Sequence, residues 1–563
     1  MGIFIRKRSF VLAMILVLLL TAVPVTGADD HDLIFSASGP FPSHIPGYGI
    51  EHPTPHPSLV ARMNEKIRTD LGSEWDPGSP GTGSVFPEDM GPGMRAKGEN
   101  RVLVLLVDFP DKMHGPDQSR EEVLAGFNGP GTPASIGPHD SVRGFYERSS
   151  YGQLHLSADV YGWVRAKNTS LYYEQLPDNR GWKELVRECM DTCDGVIDYT
   201  PYDNDQDGDI DTVYLIWAGS EYNEFWWAIC HSGLYTDHWD GLTLDTFVWV
   251  PYSWEPDGSY CPIVTNHETG HLLGLPDYYD YTPAAGPCGG LGGFDLMDGN
   301  CVDTNCFSKY LLGWIDPVVI VGGKHDLLLN SSGGSPDAVL VLPQGSEGSF
   351  SEFFMVQARN PAVGNDDSFI WWYNWLKKPA WDSPGLAIWH IDATLTEDPL
   401  FGTIFACDNS ETPHKLVRLM EADGLEELEQ SCSIGNNWDP ADLYYPGQRF
   451  GPDTTPNSSR YDGSLTGMSI GNISLEGSGI RVTITLPPLI VPLPGQAIPP
   501  IDSDHDGLYE DMNGNGNTGF GDVVLFFQQV EWIRDNEPVS AFDFNGNGAI
   551  GFQDVVVFFN QVG

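Results

Sequence analysis

Positive charge is scarce in this chain of 563 residues: 29 lysines and arginines stand against 78 aspartates and glutamates, a formal net charge of -49. A field of that sign repels phosphates, which excludes nucleic acid and anionic membrane surfaces as partners. Cysteine is also sparse. All 9 lie between Cys189 and Cys432, and none has Cys-x-x-Cys spacing, which excludes a cysteine zinc knuckle. No cysteine precedes Cys189, so a leader that blocks a metal through a thiolate is excluded too. The pairs Cys301/Cys306 and Cys407/Cys432 are close enough in sequence to be expected as local bridges, and the odd total leaves a thiol over. Beyond the N-terminus no apolar run reaches the length of a bilayer span. No Ser/His/Asp nucleophile signature and no phosphate-cradling glycine loop is present.

The N-terminus carries Arg6, Lys7 and Arg8, an apolar run over 10–23 and then small residues to Ala28. That order reads as a secretory signal over 1–28, with a retained anchor as the alternative. It implies a secreted mature chain without a membrane span. Residues 29–98 are rich in Pro, Gly, His and Ser around one helical stretch at 59–71. They read as a propeptide-like segment or as a leader without a role.

The texture changes at Arg101. Runs over 101–109, 154–164 and 212–217 predict strands, and stretches over 141–148, 182–190 and 262–273 predict helices. Their alternation places an α/β (or α+β) domain with a central sheet over 99–320. Short alternating runs at 338–342, 353–358, 386–391 and 480–486 predict a β-rich domain over 321–486. Residues 487–500 are proline-rich and read as a stiff, extended linker. A small module over 501–563 follows.

Chemistry concentrates in His267-Glu268-Thr269-Gly270-His271, continuing to Gly274 and Asp277. Histidines four apart share one helix face and can grip one metal ion, while Glu268 reaches a metal-held water without being a ligand. Gly274 permits a sharp turn, after which Asp277 can return as third ligand and leave one position open. A chance match within an ordinary helix is the bland alternative, which the glycine and aspartate at fixed offsets weigh against. Further along, Gly292-Gly293-Phe294-Asp295-Leu296-Met297-Asp298 places a methionine in a glycine-flanked turn, the pattern of a metzincin-like apolar floor beneath zinc.

Acidic loops form a second theme. Asp203, Asp205, Asp207, Asp209 and Asp211 alternate around Gly208, as in a calcium loop; a solvated acidic turn is the alternative. Near the C-terminus one register occurs twice. Asp511, Asn513, Asn515, Asn517 and Asp522 form the first loop, and Asp543, Asn545, Asn547, Ala549 and Asp554 the second. Each has glycine at position 6, a carboxylate at position 12 and an apolar helical run behind it. A weaker run, Asp502, Asp504 and Asp506, precedes them and is expected to share Asp511. Bound calcium and a demanding exterior are both readings of the strong acidity.

Through the metal motif, the Met turn and the 203–211 loop, the chain resembles the immune inhibitor A-like secreted metalloproteases. Residues 104–111, Phe145-Tyr146-Glu147-Arg148-Ser149-Ser150-Tyr151-Gly152-Gln153-Leu154 and Ser308-Lys309-Tyr310-Leu311-Leu312-Gly313-Trp314 add to the resemblance. It covers about residues 100–320 and continues more loosely to 485, through 385–392 and Glu421-Ala422-Asp423-Gly424. The C-terminal repeat resembles a dockerin-type calcium module. The resemblance implies a metzincin-like zinc protease domain, then a β-rich domain and a small helical calcium-loop domain. It also implies an endopeptidase made as a zymogen, acting on proteins or peptides, with His267 and His271 as zinc ligands and Glu268 as base. The third ligand is Asp277 or a carboxylate of the β-rich part. Tyr278, Tyr279 and His231 are candidate oxyanion donors; His155 and His390 read as structural. The tail binds a cohesin-like partner or folds on calcium as an end cap. The competing reading is a calcium-dependent extracellular scaffold with a vestigial protease domain, and a third is zinc hydrolysis of a non-peptide substrate.

Overall fold

The computed structural model describes residues 94–562, apart from 130–140, 177–179, 220–227, 233–234, 254–258, 281–288, 300–301, 344–345, 347–349, 368–380, 382, 399–401, 431–437 and 505. The expected signal, the propeptide-like segment up to residue 93 and its helix at 59–71 lie outside the described residues.

Alternation along β1 (Gly98–Asp108) organises the first half of the fold. Val102, Val104 and Leu106 enter one core, and Leu103, Leu105 and Val107 enter another on the opposite face. That is the two-residue period of a strand covered on both sides. Each such side chain contributes roughly 1.5–3 kcal/mol by leaving water. The strand pairs in parallel with β2 (Leu154–Arg165) and β3 (Asp209–Trp217). β5 (Thr243–Pro251) lies parallel to β3, and β4 (Ile229–Ser232) runs antiparallel to β5, giving the order β2-β1-β3-β5-β4.

Helices cover both faces. α1 (Arg120–Asn128) and α2 (Val142–Ser149) begin where Ser119 and Ser141 accept backbone N–H bonds as N-caps. After the short α3 (Ser170–Glu174) comes α4 (Arg180–Cys193), whose Trp182, Leu185, Val186 and Met190 cover one face of the sheet. Phe127, Phe145 and Tyr146 cover the other, together with α5 (Ile263–Leu272). α6 (Leu296–Gly299) and α7 (Cys306–Leu311) follow.

The chain then turns to strands: β6 (Val318–Ile320), β7 (Gly323–Leu329), β8 (Val339–Val341), β9 (Glu352–Arg359), β10 (Gly385–Asp392), β11 (Leu395–Asp398), β12 (Gly402–Phe405), β13 (Val417–Leu419), β14 (Ser469–Glu476) and β15 (Gly479–Leu486). One sheet has the order β13-β10-β9-β8-β6, a second β14-β15-β7, and β11 pairs with β12. Alternation again assigns the faces. Leu340, Met355 and Trp389 join the core around α5, while Val341, Phe354 and Ile388 meet Ile480, Val482 and Ile484 of the three-stranded sheet. The five-stranded β-rich sheet thereby floors the helices that carry the metal motif.

The C-terminal module packs α8 (Phe520–Asn536), α9 (Val539–Phe542) and α10 (Phe552–Val562) around Phe526, Phe542, Phe544 and Phe558. The segment 487–500 is not a free spacer. Ile490 and Leu493 are buried in this same small core, and the Val491 N–H donates to Glu537 Oε1 at 3.2 Å. Its apolar residues outweigh its proline content. The expected cysteine bridges also fail: Cys306 and Cys407 are thiols, and Cys301 and Cys432 lie outside the described residues. Cys306 is buried at the start of α7, where helix geometry rather than sequence proximity sets its neighbours. No helix among the described residues is long and apolar enough to cross a membrane.

Candidate metal centre

All ten residues of α5 are buried, polar ones included, so each polar group needs a partner. The Thr269 hydroxyl donates to Thr265 O at 2.6 Å and lies 2.9 Å from the Tyr214 hydroxyl. Tyr146 donates to Asn266 O at 2.5 Å. Gly270, between the two histidines, is fitted to Met297: a Cβ there would stand 2.4 Å from the Met297 sulfur. The methionine turn is therefore packed directly under the histidine helix. Gly270→Ala is expected to cost about 1–3 kcal/mol through overpacking, which outweighs the better helix propensity of alanine. Thermal unfolding measures this, and an unchanged Tm would mean that Met297 moves aside at no cost.

The helix ends at Leu272, and Gly274 takes a φ of +90°. The Leu275 N–H bonds back to Gly270 O at 3.0 Å, and the chain returns with Asp277 against the histidine face. His267 Nε2 lies 2.8 Å and His271 Nε2 3.4 Å from Asp277 Oδ1. The other ring nitrogens are occupied: His267 Nδ1 faces Leu296 O at 3.1 Å and His271 Nδ1 faces Leu275 O at 2.9 Å. Nδ1–H donation to a carbonyl leaves Nε2 as the lone-pair nitrogen, the arrangement of metal-ligating histidines. Tetrahedral zinc with ligands at about 2.0 Å sets ligand atoms roughly 3.3 Å apart, so the donor set and its spacing fit that ion. Glu268 is outside the converging set of His267, His271 and Asp277.

Burial disfavours charge on both imidazoles, but the Asp277 carboxylate outweighs it and lifts His267, with His271 pushed up to about 9. Against the same burial, the two imidazoles hold Asp277 well below the usual carboxylate range. Burial pushes Glu268 up, opposed by His267 and His271 and by a backbone N–H bond from Cys230 of β4. The edge strand thus orients the acid beside the candidate ligands.

Of the candidate oxyanion donors, Tyr278 is turned away, its hydroxyl 2.8 Å from Ser308 Oγ. Tyr279 stacks on His267 with ring centroids 6.1 Å apart and hydrogen-bonds Asp277. His231 stacks on Phe247 within the edge of the sheet. His155 and His390 are held by carboxylates, Glu147 at 3.2 Å and Glu352 at 2.7 Å.

The frame of the Met turn carries no local signal in the sequence. Asp295 accepts N–H bonds from Met297 at 2.7 Å and Asn305 at 2.6 Å. Asp298 accepts from Leu291 at 2.8 Å and Gly293 at 2.6 Å. Arg359, from β9, lays its guanidinium 4.2 Å over the Phe294 ring while paired with the buried Asp366. Tyr278 N donates to Met297 O at 2.9 Å, tying the segment after Asp277 to the same turn.

The acidic loops share one backbone design. In each, the first aspartate (Asp203, Asp502, Asp511 or Asp543) accepts the N–H groups of positions 5 and 6. Position 6 is Gly208, Gly507, Gly516 or Gly548, all at positive φ. The loops close differently. Asp203 and Asp205 converge with Asp211, whereas Asp207 accepts the Asp209 N–H and Asp209 takes the Thr243 hydroxyl. Asp502, Asp504 and Asp506 converge with Glu510, so Asp511 is not their shared residue; it opens the next loop. In the last two loops Asp522 and Asp554 reach back to Asn513 and Asn545. Asn517 and Ala549 take position 7, donating their N–H groups to Asn515 and Asn547.

No family model matches the chain. It is similar to the "Pre-pro-metalloprotease PrtV" of Vibrio cholerae serotype O1, in strain M66-2 and in strain ATCC 39315 / El Tor Inaba N16961. Identity is 27% over 258 residues, covering 36% of this chain. The chain spans only 27% of the length of these relatives. The resemblance is distant and partial, and points to a metalloprotease.

Proposed function

We propose that the protein is a secreted, metzincin-like zinc endopeptidase that hydrolyses peptide bonds of extracellular proteins. The observation that carries this reading is the convergence of His267 Nε2, His271 Nε2 and Asp277 Oδ1, with Glu268 beside that set and not in it. The partial likeness to a metalloprotease of Vibrio cholerae supports it. Zinc held there supplies Lewis acidity and makes a water molecule acidic near neutral pH. Glu268, held by the Cys230 N–H, takes the water proton on its carboxylate and passes it to the leaving amine. Tyr279, beside Asp277 and His267, is the best placed side chain to donate to the oxyanion. Among the described residues β4 ends the sheet order, where an extended peptide can add as a further strand and run past Glu268. Digestion of casein tests the reading: it should stop with a zinc chelator and continue with serine-protease inhibitors. Digestion that survives chelation sinks it.

Calcium fits the four acidic loops, which offer only oxygen donors. The C-terminal module depends most on it, because its core is small and two loops frame its helices. Its helices also expose a two-fold apolar face. Phe520 lies against Phe559 at 6.1 Å and Phe527 against Phe552 at 5.9 Å, all four mostly or half exposed. Such a face supports docking of a cohesin-like partner. Chelating calcium, or Asp543→Ala, is expected to open the module to chymotrypsin at these phenylalanines within minutes while the calcium-loaded wild type resists. Equal cleavage in both states would remove calcium from the account of this module.

A further inference from the structure

Between β13 and the turn of 3₁₀ helix at Pro440–Asp442, four carboxylates meet that the metal motif and the acidic loops do not use. Glu421, Asp423, Glu427 and Asp442 each bring an oxygen within 4.8 Å of the others. Acid clusters on a surface are common and repel into solvent. This one differs, because Glu421 is 2% and Asp442 0% exposed.

Each of these two buried groups is half satisfied. Glu421 Oε2 accepts the Glu427 N–H at 2.9 Å, and Asp442 Oδ2 accepts the Asp439 N–H at 2.7 Å. Their second oxygens, Glu421 Oε1 and Asp442 Oδ1, are buried without a hydrogen-bond partner. Two buried members of the cluster thus each keep one carboxylate oxygen without a hydrogen bond. An orphaned buried acceptor is unfavourable, more so when charged, and calls for a compensating group. Nearby cations are engaged beside the cluster: Lys415 Nζ lies 3.0 Å and Arg418 Nε 3.3 Å from Glu429. Burial, then the neighbouring Glu429 and Asp442, push Glu421 up to about 10, and burial with Glu427, Asp439 and Asp423 pushes Asp442 up to about 8.

We propose that Glu421, Asp423, Glu427 and Asp442 form a further divalent-cation site, of calcium type, that pins residues 421–429 and 438–442 beneath the Met turn. Oxygens that share one calcium ion stand no farther apart than roughly 4.8 Å, twice a bond of about 2.4 Å, and the four carboxylates lie within that limit. The set contains no imidazole or thiolate, which distinguishes it from a zinc site. What the ion holds follows from the packing. The segment carries Leu428 and Trp438, both buried, and a Cβ on Gly292 would stand 2.3 Å from Leu428 Cδ2 and 2.6 Å from Trp438 Cβ. Trp438 stacks on Phe294 with ring centroids 4.7 Å apart. The Met turn is therefore floored by residues between the two ends of the site.

Calcium titration of the full secreted chain tests this independently of any peptidase activity. Glu421→Gln/Asp442→Asn keeps the shape and removes two charges. Asp423→Asn, at a half-exposed position, is a milder variant that spares the fold. Equilibrium dialysis against calcium alone should show one ion fewer per chain in the double variant and at least tenfold weaker binding of one ion in Asp423→Asn. Hydrogen exchange adds a local readout: calcium should slow exchange over 417–430 in the wild type and not in the double variant, while the 203–211 loop responds equally in both. Unchanged stoichiometry in both variants, the result for a proton shared between Glu421 and Glu429, overturns the proposal. So does exchange over 417–430 that is indifferent to calcium in the wild type.

Discussion

Glu268→Gln is expected to keep a full complement of zinc and to lose roughly 100- to 10,000-fold in kcat/KM on a peptide substrate, the range for removing a positioned acid–base group. Two features make the loss fall on chemistry. The atoms that converge as the proposed ligands are His267 Nε2, His271 Nε2 and Asp277 Oδ1, and Glu268 is not among them, so an amide there leaves the donor set intact. The carboxylate is held by the Cys230 N–H, and the oxygen of a glutamine can accept that same bond. Shape and anchoring survive, while the ability to take and return a proton does not. Metal content per chain and kcat/KM with a fluorogenic peptide measure the two halves separately. Near wild-type turnover with zinc in place would assign the proton transfer to another group. Loss of zinc together with activity would make Glu268 a structural support of the ligands.

The metal helix was legible because its information is local. Two histidines at i and i+4, a left-handed glycine and a returning aspartate are all set within eleven residues, and the structure brings the same atoms together. β1 was legible for a similar reason: a run of Val and Leu with no polar interruption can only be covered on both faces. What stayed hidden depends on distant residues. Asp295 and Asp298 look like any other acids in an acidic chain, and their role comes from backbone N–H groups that converge only once the turn is made. Arg359 stabilises that turn from a strand more than sixty residues away in sequence. The Glu421–Asp442 cluster joins two ends of a long segment, so no spacing rule reveals it. Of the cysteines expected to bridge, the two described ones, Cys306 and Cys407, are thiols, and closeness in sequence alone does not make a disulfide. Ile490 and Leu493 were obscured by their prolines, although a short apolar pair beside a module with a small core has an obvious place to go.

Asp277→Asn is expected to weaken zinc retention by at least about 100-fold, because outer-shell partners alone are worth 10–100-fold and Asp277 is the proposed third ligand. The argument rests on what else is within reach. Among the described residues, no other carboxylate joins His267 and His271 in the converging set, so the alternative of a third ligand from the β-rich strands finds no geometric support. The carboxylate also sets the electrostatics of the site, outweighing the burial that works against charge on both imidazoles. An asparagine retains the volume and offers a neutral oxygen, which cannot balance a dication in a buried site. Dialysis against a zinc buffer, followed by metal analysis, measures the effect. Circular dichroism of the metal-free variant separates lost binding from lost folding. A variant that folds and still holds one zinc per chain as tightly as the wild type would move the third ligand elsewhere. It would also leave Asp277 as a hydrogen-bonding partner of the histidines and Tyr279.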